Sequence, residues 1–131
     1  MKKNILFTID SLHWAGAEKS LITLLSLLDY SKYSVDLQLL GYGGALEALI
    51  PKEVNLLKPL KYTNFANLSI KSALGYSVKN FNFNMLKSRL KFTLALRKEK
   101  YTNAQKARVY WENVSNVIEC NDKEYDVAIS Y

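Results

Sequence analysis

The stretch NILFTIDSLHWAGAEKSLITLLSLLDYSKYSVDLQLL, residues 4–40, decides the fold class because its hydrophobic period changes twice. Residues 4–9 form a short, nearly continuous apolar run, which predicts a strand buried on both faces of a sheet. The leucines of residues 21–28 then recur at helical spacing and predict one apolar helix face. Residues 33–40 return to an alternating pattern, so the stretch predicts a strand, a helix and a second strand.

The rest of the chain adds two strands and a long helical segment. Residues 54–57 and 125–131 have strand patterns, and residues 81–97 and 103–120 carry apolar side chains at helical spacing. Right-handed crossovers between parallel strands favour a doubly wound order. We therefore predict a single α/β domain over residues 1–131, a Rossmann-like open parallel sheet of strand order 3-2-1-4, with a helical basic excursion between strands 3 and 4.

Composition narrows the class of protein. With 49% hydrophobic residues the chain can bury a core, which excludes global disorder. Cys120 is the single cysteine, so the chain has no internal disulfide and no Cys-x-x-Cys metal pair, as is typical of a reducing compartment. The first apolar run is cut by Asp10 and is shorter than a signal-peptide core, and no run approaches the roughly 20 residues of a membrane span. We expect a cytoplasmic protein.

The net charge of +6 is distributed unevenly. From Lys58 to Arg108 there are twelve lysines and arginines and one acid, Glu99, whereas the remainder has six basic and eleven acidic residues. A basic middle between acidic flanks predicts a surface that faces phosphates, either lipid headgroups or nucleic acid. A solvated helical face explains the same charges and stays open as the alternative.

The candidate ligand site is the loop that follows strand 1. In an open α/β sheet ligands bind beyond the carboxyl ends of the strands where the winding reverses, here between strands 1 and 4. Ala15, Gly16 and Ala17 let a ligand approach the backbone at the start of a helix, and Asp10 and His13 could bond its hydroxyls. Two alternatives stay open: Gly16 only turns the chain, and His13 is an ordinary exposed loop histidine.

The sequence lacks two glycine-rich motifs that bind nucleotides through their phosphates. Neither G-x-G-x-x-G nor G-x-x-x-x-G-K-[ST] occurs, so the chain has no signature of dinucleotide binding or of a P-loop NTPase. No cofactor and no metal are expected.

The ordered segments resemble the opening of family-4 glycosyltransferases, retaining enzymes of the GT-B fold. Chains of that family begin with a strand, a loop ending in Gly-Gly-Ala-Glu and a leucine-rich helix, and here NILFTIDSLHWAGAEKSLITLLSLL has this form. KYSVDLQLL is similar to the family's second strand, ALEALIPKEVNLL to its short helix and third strand, and EYDVAISY to its fourth. The likeness covers residues 1–57 and 124–131, while residues 58–123 carry no diagnostic pattern.

The resemblance implies the N-terminal, acceptor-side domain of an enzyme that moves a sugar from a nucleotide-sugar donor to a cell-envelope polysaccharide or lipid-linked acceptor. The substrate-binding residues it implies are Asp10, His13, Ala15, Gly16, Ala17 and Glu18. Ala15 departs from the family's first glycine, and its methyl group narrows the backbone's freedom there. The family's two glutamates separated by seven residues are absent, and the donor-binding domain is expected beyond Tyr131, so this chain alone is not expected to transfer sugar.

The resemblance also gives the basic excursion a role. Family members that act on lipid-linked or envelope acceptors hold the N-terminal domain against the membrane through basic and aromatic helices. We therefore expect a protein peripheral at the inner face of the cell membrane, touching it through residues 79–100. The contact residues expected in this segment are Lys79, Phe83, Lys87, Arg89, Lys91 and Arg97.

Two other classes of protein compete with this interpretation. A non-enzymatic α/β module could use its basic helices for nucleic acid or an anionic membrane, but RNA-binding signatures and helix-turn-helix spacing are missing, so nucleic acid is not the expected partner. A receiver-like signalling domain needs a cluster of acids at strand ends, and only Asp10 qualifies.

Overall fold

A computed structural model describes residues 1–66, 68–81, 83–97 and 101–131. Its elements in chain order are β1 Lys3–Ile9, α1 Gly16–Leu27, β2 Tyr33–Leu39, a 3₁₀ turn Ala45–Leu49, β3 Asn55–Leu56, α2 Lys61–Ala66, α3 Ile70–Lys79, α4 Phe83–Leu96, α5 Asn103–Val114 and β4 Val127–Ser130. The four strands form one parallel sheet in the order β3-β2-β1-β4. The predicted fold class and strand order are confirmed.

The central strand β1 pairs along its whole length with β2 and over part of it with β4. Phe7 lies opposite Leu37 on one side and Ile129 on the other. Ile5, Phe7 and Ile9 are buried, whereas Leu6 on the opposite face is only half-buried. The expectation of burial on both faces was therefore too strong, because one face of β1 carries most of the core contacts.

Helix α1 covers the buried face of the sheet with a narrower stripe than its leucines suggest. Leu21 and Leu25 are fully buried with Leu37 and Leu39 of β2 in one core. Ala17 and Leu24, two of the five residues of the predicted face (Ala17, Leu21, Leu24, Leu25 and Leu28), are exposed. A helix that packs on one side only buries residues about one turn apart, so the extra leucines stay outside.

The chain divides into two compact units, each with its own core. Unit 1 comprises Met1–Pro59 and Asn121–Tyr131 and contains the sheet, and unit 2 comprises Leu60–Cys120 and contains α2 to α5. The core of unit 2 is formed by Tyr62, Phe65, Ala73, Met85 and Val114. The sequence predicted this segment as an excursion within a single domain, and the structure gathers it into a compact unit of its own.

Helix α4 turns a different face inward from the one its apolar period indicates. Phe83, Leu90 and Leu94 recur at helical spacing, yet all three are exposed. The buried positions are Met85, Ser88 and Ala95. Leu86 packs partly buried against the same core, so the apolar period of α4 is divided between the core and the surface.

Candidate functional site

The loop between β1 and α1 is held at its base and open at its tip. Leu12 is fully buried, and its carbonyl accepts a hydrogen bond of 3.0 Å from the backbone N–H of Leu46. The carbonyl of Asp10 accepts from the N–H groups of Leu40 and Gly41, at 3.1 and 2.6 Å. Residues 13–17, beyond this anchor, are all exposed.

The second loop, which follows β2, packs directly against the first and depends on a glycine to do so. A Cβ at Gly44 would collide with the carbonyl group of Leu12. Gly43 has a φ of +92°, a conformation that glycine adopts without strain. The N–H groups of Gly43 and Gly44 both donate to Oε1 of Glu47, at 2.7 and 2.8 Å. In the sequence, Gly41-Tyr42-Gly43-Gly44 after the second strand pattern predicts only that the strand ends there, so the contact of Gly44 with Leu12 was not predicted.

Helix α1 begins at the loop tip with amides that no capping side chain occupies. The N-cap is Ala15, which has no side-chain acceptor, and the Glu18 carboxylate accepts only from the Ala15 N–H, at 2.8 Å. The first amides of an α-helix lack intrahelical acceptors, and they carry the positive end of the helix dipole. The first-turn amides of α1 at Gly16 and Ala17, where the sequence predicts a ligand, are therefore exposed, and anion binding there stays a prediction.

Gly16 is not required by the local backbone. Its φ is not in the left-handed region, and an added Cβ would meet nothing within 4 Å. A larger residue could stand here without strain, so neither the turn nor the local packing requires a glycine at this position.

The polar and aromatic residues of the loop face solvent. Asp10 and His13 are exposed, and Trp14 is 65% exposed with the Lys19 ammonium 5.6 Å from its ring centroid. Trp14 is therefore largely in solvent and is not packed into the core. Asp10, His13 and Glu18 are available around the open tip as acceptors or donors for a polar ligand.

Strand β4 pairs with β1 and therefore borders the switch point, which lies between these two strands. The N–H of Tyr131 donates to the carbonyl of Thr8 at 2.9 Å, and the hydroxyls of Tyr131 and Ser20 lie 3.1 Å apart. Tyr131 thus joins the end of β4 to the second turn of α1. Sequence reasoning did not single out Tyr131 or Ser20, because nothing local links two residues so far apart in the chain.

A buried carboxylate holds the segment that leads into β4. Asp36 of β2 is 2% exposed, and its Oδ2 accepts from the Tyr125 hydroxyl at 2.6 Å and from Lys123 Nζ at 3.0 Å. Its Oδ1 accepts from Asn55 Nδ2 of β3 at 3.0 Å. Burial alone would raise the pKa of Asp36, but these hydrogen bonds and the Lys123 charge hold it below its usual value. Burial and the bond to Asp36 raise the pKa of Tyr125 to about 12.

The sequence did not predict this network, which joins β2 to β3 and to the segment before β4. An aspartate inside the apolar strand YSVDLQLL was the available signal, since a buried charge needs hydrogen-bonding partners. The partners themselves were not predictable, because Lys123 and Tyr125 are 87 and 89 residues away in the chain.

The residues expected at a membrane lie in unit 2 and are not all alike. Lys79, Phe83, Lys87, Lys91 and Arg97 are exposed. Arg89 is half-buried, and its guanidinium donates to the carbonyls of Phe65 and Leu68 at 3.2 and 2.6 Å. Arg89 is thus a structural contact of unit 2 rather than a surface cation. Asn82 and residues 98–100 of the expected segment lie outside the described residues.

In the described part of the chain, every helix is too short or too polar to cross a bilayer. The described residues form an open α/β fold with an exposed loop tip at the switch point between β1 and β4. In a comparison with known proteins, no family model, no curated protein and no solved structure matches the chain.

Proposed function

We propose that this chain is the N-terminal, acceptor-side domain of a retaining glycosyltransferase. In this proposal the β1–α1 loop receives the diphosphate of a nucleotide-sugar donor and, beside it, the saccharide or lipid-linked acceptor. The observation that carries the proposal is the open tip of the loop at the β1/β4 switch point, where small exposed residues lead into an uncapped helix start. The segment resemblance is the other support, and it concerns the same residues.

The chemistry of the tip suits a charged, hydroxyl-rich ligand. The first-turn amides of α1 and the helix dipole favour an anion, by about 0.3–1 kcal/mol when the site is exposed. Asp10 and His13 are exposed beside them and can bond sugar hydroxyls. Glu18 already places one negative charge at the helix start, so a diphosphate held by this loop alone is bound weakly and needs further contacts.

Binding of a nucleoside diphosphate tests the proposal. In 15N-resolved NMR spectra of the 131-residue chain, uridine diphosphate should shift the amide signals of Gly16 and Ala17 in a saturable way. Gly16→Leu should fold, because the added side chain meets open space, and should lose the response. Gly75→Leu is the matched control, since a Cβ at Gly75 also meets nothing within 4 Å and Gly75 lies in unit 2.

Two results of this titration would contradict the proposal. Shifts confined to lysine-rich unit 2, or an unchanged response in Gly16→Leu, would mean that the loop does not bind the diphosphate. Pyrophosphate in place of uridine diphosphate separates recognition of the phosphates from recognition of the nucleoside.

A further inference from the structure

A cleft of about 490 Å³ lies along helices α4 and α5 of unit 2. Its volume is within the range of small-molecule sites, about 300–1,000 Å³. Each helix contributes residues spaced three and four positions apart, which lie on one side of a helix. The lining includes Lys91, Leu94 and Ala95 of α4, Val109, Glu112 and Asn113 of α5, and Asn116 just after α5.

The apolar part of the cleft is built around a small residue. Phe92 of α4 and Tyr110 of α5 meet edge to face, with their ring centroids 4.9 Å apart, and so hold the two helices side by side. Ala95 is 5% exposed and lines the cleft, while Leu94 is exposed and Val109 is half-buried. An aliphatic group of a ligand would cover apolar surface that is now in water.

The polar part of the cleft carries two opposite charges. Lys91 is exposed and forms no ion pair with a residue that the structure describes. The Glu112 carboxylate accepts from Arg108 Nε through Oε1, at 2.7 Å, and 57% of its side chain is exposed. The ammonium of Lys91 and the second oxygen of Glu112 are therefore available to a ligand.

Two asparagine amides add acceptors to the same cleft. Nδ2 of Asn113 donates to the Val109 carbonyl at 2.7 Å, and Nδ2 of Asn116 donates to the Glu112 carbonyl at 2.6 Å. Their Oδ1 atoms accept no hydrogen bond from the described residues, so each can take a donor from outside. Carboxylate and amide oxygens together suit an ammonium group, which has three N–H donors.

We propose that this cleft binds a free α-amino acid with an aliphatic side chain. The amino acid's carboxylate contacts Lys91, its ammonium contacts Glu112 and the asparagine oxygens, and its side chain covers Ala95 and its apolar neighbours. A phosphate-like anion would meet the charge of Glu112, and an uncharged apolar molecule would desolvate both charges without pairing them. The inference concerns unit 2 and does not depend on sugar transfer by unit 1.

Titration of the full chain with L-leucine and three analogues tests the ligand class. In 15N-resolved NMR spectra, L-leucine should shift the amide signals of Ala95 and Asn113 in a saturable way. N-acetyl-L-leucine lacks the ammonium and L-leucinamide lacks the carboxylate, so each should bind about threefold more weakly or worse. Glycine lacks the aliphatic side chain and should bind about fivefold more weakly or worse.

Two charge variants assign the two ends of the ligand. Lys91→Gln should weaken binding of L-leucine and N-acetyl-L-leucine by about threefold and leave L-leucinamide unchanged. Glu112→Gln should weaken binding of L-leucine and L-leucinamide by a similar factor and leave N-acetyl-L-leucine unchanged. Both side chains are exposed, and circular dichroism checks that the variants are folded.

The matched controls change neighbouring charges. Lys87→Gln removes an exposed lysine one turn earlier on α4 and outside the cleft lining, and Arg108→Gln removes the ion pair of Glu112 but keeps its carboxylate. Neither should weaken L-leucine binding by more than about twofold. The absence of a saturable shift at Ala95, equal binding of glycine and L-leucine, or unchanged L-leucine binding in both charge variants would overturn the proposal.

Discussion

Replacing Tyr125 by Phe removes the shortest hydrogen bond to the buried Asp36 and keeps the ring. The lost bond is 2.6 Å long and has a charged acceptor, a type worth about 1.5–3 kcal/mol. Burial and the bond to Asp36 together raise the pKa of Tyr125 from 10.0 to about 12, so the hydroxyl stays protonated and donates at pH 7. We expect Tyr125→Phe to lower the free energy of unfolding by about 2 kcal/mol at pH 7.

The effect should depend on pH with a definite sign. The folded pKa of Tyr125 is raised, so its contribution is complete below pH 10 and is lost as the pH rises from 10 to about 12. The folded pKa of Asp36 is lowered, so its contribution is present above the ordinary pKa of 3.8 and is lost as the pH falls through the lower folded value. The difference between wild type and Tyr125→Phe should therefore be largest between about pH 4 and 10.

Urea unfolding at pH 3, 7 and 11 measures this difference. Tyr33→Phe is the control, because Tyr33 also packs at the edge of the unit 1 core while its hydroxyl makes no side-chain hydrogen bond within the described ranges. A cycle with Asp36→Asn should give a coupling of about 1–2 kcal/mol between positions 36 and 125. If Tyr125→Phe behaved like Tyr33→Phe, or if the difference were the same at all three pH values, the network would not hold β4.

The remaining predictions concern packing in each unit. Gly44→Ala should lower the free energy of unfolding by about 1–3 kcal/mol, because the new Cβ collides with the Leu12 backbone. Gly75→Ala, in an open position of α3, should raise the free energy of unfolding by about 0.5–1 kcal/mol. Thermal unfolding followed by circular dichroism distinguishes the two variants. Arg89→Ala should destabilise unit 2 by about 1–3 kcal/mol in urea unfolding, since the Leu68 carbonyl loses the guanidinium as donor and the Phe65 carbonyl keeps only the N–H of Leu68. Lys87→Ala, at an exposed position, should cost less than about 0.5 kcal/mol. Glu119→Gln should change stability by less than about 1 kcal/mol, because the Lys61–Glu119 pair is partly solvated, and a larger loss would contradict that view of the pair.

The location of the candidate site was predictable because it follows from topology. The apolar run before Asp10, the helical leucines and the strand around Leu37 are local patterns, and parallel crossover rules then fix the order 3-2-1-4. The switch point between β1 and β4 follows from that order, and so does the exposure of the loop tip around Gly16. None of this required knowledge of a contact between residues distant in the chain.

The residues that hold the loop and β4 in place around the candidate site were not predictable from topology. Gly44 is needed because the loop after β2 lies against Leu12, and the sequence indicates a glycine turn without indicating what it touches. Tyr125 and Lys123 meet Asp36 only after the chain has passed through all of unit 2. Such partners are chosen by the packing of the whole sheet.

By itself the sequence determined the parallel sheet, its strand order and the presence of α4 and α5, although α5 ends at Val114 and not at residue 120, because hydrophobic period is a property of neighbouring residues. Only the tertiary structure decided which face of each helix is buried. In α4 the side chains of Phe83, Leu90 and Leu94 are exposed whereas Met85, Ser88 and Ala95 are buried, because contacts with the rest of unit 2 decide which side of the helix is covered. Arg89, which the sequence predicts as a surface cation, instead donates to the carbonyls of Phe65 and Leu68 inside unit 2, a contact that depends on residues more than 20 positions away in the chain.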